Sequence, residues 1–184
     1  MAPGILMLML SWALPAAAAG DLDITAVVGF ADTFSPGHWT PLEVTVANRG
    51  QDLNGEIAVD VTGGDELQGP LFITSYRRRL ELHRDTRKRF QFTVLPQSVS
   101  QPLVIRVRAQ GRELSRTAVD LRKRFIAERA ILVLSRNANL DYLNEGSADG
   151  LRVLYPHPER LPAHWRGYDA VEAVVVQGMS LDQL

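Results

Sequence analysis

From residue 21 to about residue 121, apolar and polar side chains alternate one for one. Leu42, Val44 and Val46 are interleaved with Glu43 and Thr45, and Ile57, Val59 and Val61 with Ala58, Asp60 and Thr62. Phe90, Phe92 and Val94 flank Gln91 and Thr93, while Leu103, Ile105 and Val107 share their stretch with Arg106 and Arg108. Side chains of a strand point to opposite faces in turn, so a period of two gives each stretch one dry face and one wet face. That pattern belongs to antiparallel sheets packed on a core from one side. Turn chemistry separates the runs. Asn48 with Gly50, and Asn54 with Gly55, bracket the break between the second and third strands. Gly63 and Gly64 end the third, Leu95 and Pro96 end the fifth, and Gln110 with Gly111 joins the last two as a hairpin. About seven short strands in roughly 100 residues predict a β-sandwich. The sequence has no cysteine, so the sandwich is immunoglobulin-like in architecture without the disulfide of antibody domains.

Beyond residue 130 the pattern changes. Ala130 to Leu134 and Ala170 to Val176 are nearly continuous apolar runs, as in strands buried on both faces of a parallel sheet. Between them lie residues 139–144, enough for one or two helical turns, and a short strand over residues 152–155. Gln177 and Gly178 follow the last run, and Ser180 is placed to cap a helix. Strand, helix, strand, strand and helix start read as an incomplete α/β segment. The predicted class is therefore mainly β: residues 21–125 as the sandwich, and residues 130–184 as the first part of an α/β domain that leaves a sheet edge and apolar surface uncovered. The expectation is a fragment of a longer protein.

Residues 1–20 read as a cleavable secretory signal peptide. An apolar run of about eleven residues leads to Pro15, then to Ala16, Ala17, Ala18, Ala19 and Gly20. As a helix that run is roughly 16 Å long, too short for a hydrocarbon core of about 30 Å. Small residues suit signal peptidase, with cleavage after Ala18, Ala19 or Gly20, although no Lys or Arg precedes the run. The absence of cysteine excludes a lipid anchor on Cys as well as disulfides. The expected location is the periplasm or the outer face of the cytoplasmic membrane, with membrane attachment only through residues beyond Leu184.

The net charge is −1, but acidic residues dominate residues 21–76 and arginines dominate residues 77–129. Two accounts stand: a basic surface for an anionic partner, or strands whose opposite signs meet as cross-strand pairs. For Arg77, Arg78, Arg79, Arg84, Arg87 and Arg89 the second account predicts a solvated hairpin with Glu81 and Asp85 as partners. None of His38, His83, His157 and His164 stands at metal-ligand spacing, and no phosphate-cradling glycine loop or nucleophile elbow is present. No cofactor or metal is expected. The candidate ligand-binding residues follow the two buried runs: Ser135, Arg136 and Asn137 after the first, Gln177 and Gly178 after the second. Strand carboxyl ends line the crevice of an open α/β sheet, and turns have the same composition. Trp39 and Tyr76 suit either packing or a sugar platform.

Two stretches carry a resemblance. Residues 34–50, with Gly37, Trp39 and Pro41 before a strand and the Asn48-to-Gly50 turn after it, resemble β-sandwich modules of large bacterial exported or membrane proteins. Residues 161–178, with Tyr168, Asp169, Ala170 and Val171 opening a hydrophobic strand, are similar to class I glutamine amidotransferase-like domains. In that family the nucleophilic Cys and its partners come later than any position here, so the resemblance implies a scaffold or binding fold and carries over no catalytic residue. The expected function is a non-catalytic exported interaction or scaffold module. One alternative is the N-terminal fragment of an amidotransferase-like enzyme with catalytic residues beyond Leu184. Another is a carbohydrate-binding sandwich. Its partner would be an envelope protein or an anionic glycan or lipid, not nucleic acid.

Overall fold

A computed structural model describes residues 21–64, 71–127, 129–135, 140–145 and 151–178. The alternating region forms seven strands: β1 (Leu22–Val28), β2 (Thr40–Asn48), β3 (Leu53–Gly63), β4 (Phe72–Leu82), β5 (Thr86–Val94), β6 (Leu103–Ala109) and β7 (Arg112–Val119). They pair antiparallel in two sheets, ordered β1-β2-β5 and β4-β3-β6-β7. The apolar member of each alternating pair faces inward. Leu42, Val44 and Val46 from one sheet meet Ile57, Val59, Leu103 and Ile105 from the other in a single buried cluster. Each such side chain contributes about 1.5–3 kcal/mol by leaving water, and that gain holds the two sheets face to face.

The chain switches sheets after β2, after β4 and after β5, and the first two crossings are tied together. Asn48, buried at the end of β2, donates its side-chain amide to the carbonyls of Gln51, Leu82 and His83 and accepts the N–H of Gly50. The expected turn at residues 48–50 is present. Asn54 and Gly55, however, lie inside β3 rather than at the break. A Cβ on Gly55 would lie 2.0 Å from the Arg108 carbonyl oxygen, so this glycine lets the β6 backbone approach closely. The arginine-rich residues 77–89 do not form a hairpin either. β4 pairs with β3 and β5 with β2, because Leu80 and Leu82 on one, and Phe90 and Phe92 on the other, face the same core from different sheets. Opposite charges do meet across strands: Arg89 with Glu43 at 3.6 Å, Arg108 with Glu113 at 3.8 Å, Arg77 with Glu56 at 3.9 Å, and Arg106 with the buried Asp60.

After β7 the chain is pinned back onto the β1–β2 connection. Phe34 accepts the N–H of Ile126 at 2.8 Å and donates its own to the Arg124 carbonyl at 3.0 Å. The Arg124 side chain pairs with Asp32 at 2.8 Å. Three further strands, β8 (Arg129–Ser135), β9 (Leu151–Leu154) and β10 (Val171–Gln177), form a parallel sheet ordered β10-β8-β9. The expected helical turns over residues 139–144 reduce, among the described residues, to one short helix, α1 (Tyr142–Glu145). A second cluster of Ile126, Ala130, Leu132 and Leu154 includes Phe30 from the β1–β2 connection, which seats this sheet against the sandwich. Val174 and Val176 on the β10 edge remain 43% and 39% exposed. Among the described residues no helix is long and apolar enough to cross a membrane.

Candidate ligand-binding cleft

Two of the five residues expected at the strand ends come together. Ser135 and Gln177 are register partners at the ends of β8 and β10, and Gly178 follows with a φ of 67°. Arg136 and Asn137 lie outside the described residues. A larger concavity lies elsewhere, between the sandwich and the segment that joins β9 to β10.

That segment begins with Pro156 and Pro158, and its 3₁₀ turns at Pro158–Arg160 and Trp165–Tyr168 fold it back over the outer face of β2 and β5. The second turn is closed at its start by His164, whose Nδ1 accepts the Arg166 N–H at 3.2 Å. Gly167 is buried there because a Cβ would lie 2.5 Å from Pro162. Just past the turn, Asp169 clamps the segment to the sandwich: one carboxylate oxygen accepts the Trp39 N–H at 3.0 Å and lies 3.3 Å from His38 Nδ1. Phe30 and Tyr168 pack ring against ring at 5.8 Å. Burial raises the Tyr168 phenol above its ordinary range.

Beneath the segment is a cleft of about 650 Å³. Its floor carries Glu43, whose side chain is only 12% exposed and lies 3.6 Å from Arg89 and 3.7 Å from Arg160. Glu43 Oε2 is buried without a hydrogen bond among the described residues, so the ion pairs alone compensate its desolvation. His157 and His164 look into the same space. A second concavity of about 430 Å³ shares Arg78, Phe92, Thr93 and His164 with the first, so the two run into each other. This end is lined by Trp39, Tyr76, Arg77 and Arg166 and has no carboxylate in its wall. The Arg166 guanidinium lies over Trp39 at 5.8 Å and over Trp165 at 5.6 Å, and that of Arg78 over Phe92 at 5.7 Å. Tyr76 meets Trp39 edge-on with ring centroids 6.5 Å apart. Burial lifts the Tyr76 phenol above its usual range, although a backbone hydrogen bond at Leu95 opposes the shift.

The sequence singled out Trp39, Tyr76 and the arginines separately. Their meeting with His164, Trp165 and Arg166 had no local signal, because the partners lie far apart along the chain. The remaining histidine, His83, is exposed and lies 3.1 Å from Asp52 at the β4–β5 turn, away from this cleft. Among the described residues no group of three His, Asp or Glu side chains is arranged to hold a metal ion.

A family model described as "Domain of unknown function (DUF8726)" matches residues 21–122, more than half of the chain. No curated protein matches the sequence. Among solved structures, the chain is similar to Pseudomonas fluorescens alkylpurine DNA glycosylase AlkC bound to DNA containing an abasic site analog. The identity is 15% and the TM-score 0.34, over 55% of this chain and 30% of that one. It is also similar to a Paenibacillus sp. cycloisomaltooligosaccharide glucanotransferase complexed with cycloisomaltoheptaose, at 16% identity and a TM-score of 0.34, over 65% of this chain and 17% of that one. The chain thus spans less than a third of either protein. At that TM-score neither likeness bears on its function.

Proposed function

The chain belongs to the DUF8726 family, a domain of unknown function, and from the cleft itself we propose a non-catalytic binding module of the cell envelope. Its ligand lies between the β2–β5 face of the sandwich and residues 155–168. The observation that carries this proposal is that both walls of the cleft contribute cations and rings, while the segment forming one wall is held in place by Asp169 and Phe30. Concave sites with a few convergent polar groups are where small ligands bind. His38 lies against Asp169, His83 against Asp52, and His164 caps a turn, while His157 lines the cleft. The absence of cysteine from these residues supports a scaffold over an amidotransferase-type nucleophile. In this proposal β8, β9 and β10 open an α/β layer whose role is to carry the cleft wall. Residues 1–20 direct the module out of the cytoplasm.

Amide-resolved NMR of the full chain, titrated with a panel of acidic, neutral and basic oligosaccharides and peptides, tests the binding role. Shift changes confined to the cleft, with the probes recovered intact, are expected. Turnover of a probe, or binding on another face, overturns it. N-terminal sequencing of protein exported by a bacterial host tests the location, with cleavage after Ala18, Ala19 or Gly20 as the expected result.

A second reading has its own observation. Trp39 and Tyr76, the pair expected of a carbohydrate-binding sandwich, stand together in the wall of the cleft.

A further inference from the structure

The smaller end of the cleft presents three guanidiniums and no carboxylate. Arg77 is partly engaged, at 3.9 Å from Glu56. Among the described residues, Arg78 and Arg166 have no carboxylate partner, and both lie over rings at cation–π distance. A cation–π contact uses no N–H of the guanidinium as a hydrogen-bond donor to a carboxylate, so the fork that grips a carboxylate from two sides is still available. A guanidinium held over a ring also has less freedom left to lose when it binds. The site is therefore set for planar anionic groups before any ligand arrives.

The rest of the wall narrows the ligand class. Tyr76 keeps its phenol proton, and with Thr93 and His164 it offers hydrogen-bonding groups between the arginines. A pyranose ring has hydroxyls around its rim for these groups, and in a uronic acid it also carries a carboxylate for the arginines. An acyl chain has no use for the guanidiniums. A nucleic-acid strand wants a ladder of open ring faces, whereas Trp39 is covered by Arg166 and met edge-on by Tyr76. We propose that this end of the cleft binds an acidic glycan, its carboxylates on Arg78 and Arg166 and its hydroxyls on Tyr76, Thr93 and His164. The proposal rests on the cleft being the binding site.

Calorimetric titration of the full chain with tetragalacturonate tests it. Saturable binding is expected, weakening as salt rises. Affinity should fall about tenfold or more in Arg166→Ala and in Arg78→Ala, as for loss of a charged hydrogen-bonding partner. Arg166→Lys should fall nearly as far, since it keeps the charge but loses the fork. Tyr76→Phe should also bind more weakly. Arg112→Ala, on the far edge of the other sheet, should bind as the parent does. If a different probe shifts the cleft resonances and tetragalacturonate does not bind, the glycan assignment falls and the binding site stands. If tetragalacturonate binds with all three arginine variants unaffected, the site itself is misplaced. A neutral pyranose tetramer, inorganic phosphate or oligothymidylate that binds as tightly as the uronate also overturns the assignment.

Discussion

Replacing Asn48 by Ala should be among the most damaging polar substitutions in the sandwich. Its amide reaches the Gln51 carbonyl at 2.7 Å, and its oxygen accepts the Gly50 N–H at 2.9 Å. Longer bonds of 3.4 and 3.3 Å run to Leu82 and His83. These contacts join the β2–β3 crossing to the β4–β5 turn, at a residue that is 3% exposed. Alanine leaves three carbonyls and one N–H without this partner in a site that water enters poorly. Each of the two short bonds is worth about 1 kcal/mol net, and the stranded buried groups add to that, so the loss should be about 2–4 kcal/mol. For a chain of this size that lowers the melting temperature by roughly 5–15 °C. Urea denaturation of the full chain, followed by circular dichroism, should show an earlier midpoint with an unchanged slope. Asn48→Asp should be no better, because it keeps the acceptor but sets a negative charge among three carbonyl oxygens. If Asn48→Ala lost less than about 0.5 kcal/mol, the two crossings would not be coupled through this side chain, and the reasoning would fail.

Gly29→Ala should destabilise the fold far more than Gly111→Ala, again by urea midpoint. Both glycines have positive φ, but a Cβ at Gly29 would lie 1.8 Å from the Thr33 carbonyl oxygen, while at Gly111 it meets open space. Glu43→Gln removes the carboxylate shared by Arg89 and Arg160. It should cost about 1–2 kcal/mol, less than a fully buried pair because both arginines are about half exposed. Faster hydrogen exchange across residues 155–164 would report it, and unchanged exchange there would count against the ion pairs as a tether. The Arg84 N–H and then His83 hold the Asp52 carboxyl below its ordinary value of 3.8. A depressed carboxylate contributes stability that is complete above the unfolded value and is lost as pH falls through the folded one. Asp52→Asn should therefore flatten the loss of stability below about pH 4, measured as urea midpoints at pH 5 and pH 3. An unchanged acid limb would show that the turn does not depend on this charge.

The strands were legible because both burial and backbone period are local. Leu42, Val44 and Val46 are the inward residues of β2 for the same reason that they alternate with Glu43 and Thr45. Which strands pair is a different matter. Residues 83–85 make as short a link between neighbours in one sheet as between edges of two, so turn length could not reveal that β4 and β5 part company. Asn54 and Gly55 have the composition of a turn, yet the space available to Gly55 is set by Arg108, far along the chain. The sign asymmetry resolved as the cross-strand account expects for Glu43, Glu56, Asp60 and Glu113. It also left Arg78 and Arg166 without carboxylate partners among the described residues, and these two line the cleft. Of the strand-end candidates, Ser135 and Gln177 could be placed because a run's last residue is readable. The cleft could not, because nothing local to Trp39 says that Arg166 will lie on its ring.

Linked domains in one chain are expected to move against each other unless something large or specific holds them. Here the link itself is occupied. Backbone bonds join Phe34 to Arg124 and Ile126, Arg124 pairs with Asp32, and Phe30 belongs to the second core. Farther along, Asp169 grips the Trp39 backbone beside the cleft. A hinge at residues 120–127 would have to break the first set, and lifting residues 155–168 would have to break the last. The cleft is therefore preformed, not assembled by closure. A preformed site spends little on ordering its own walls. In the binding role proposed above, the interaction energy of the cleft then goes to the ligand.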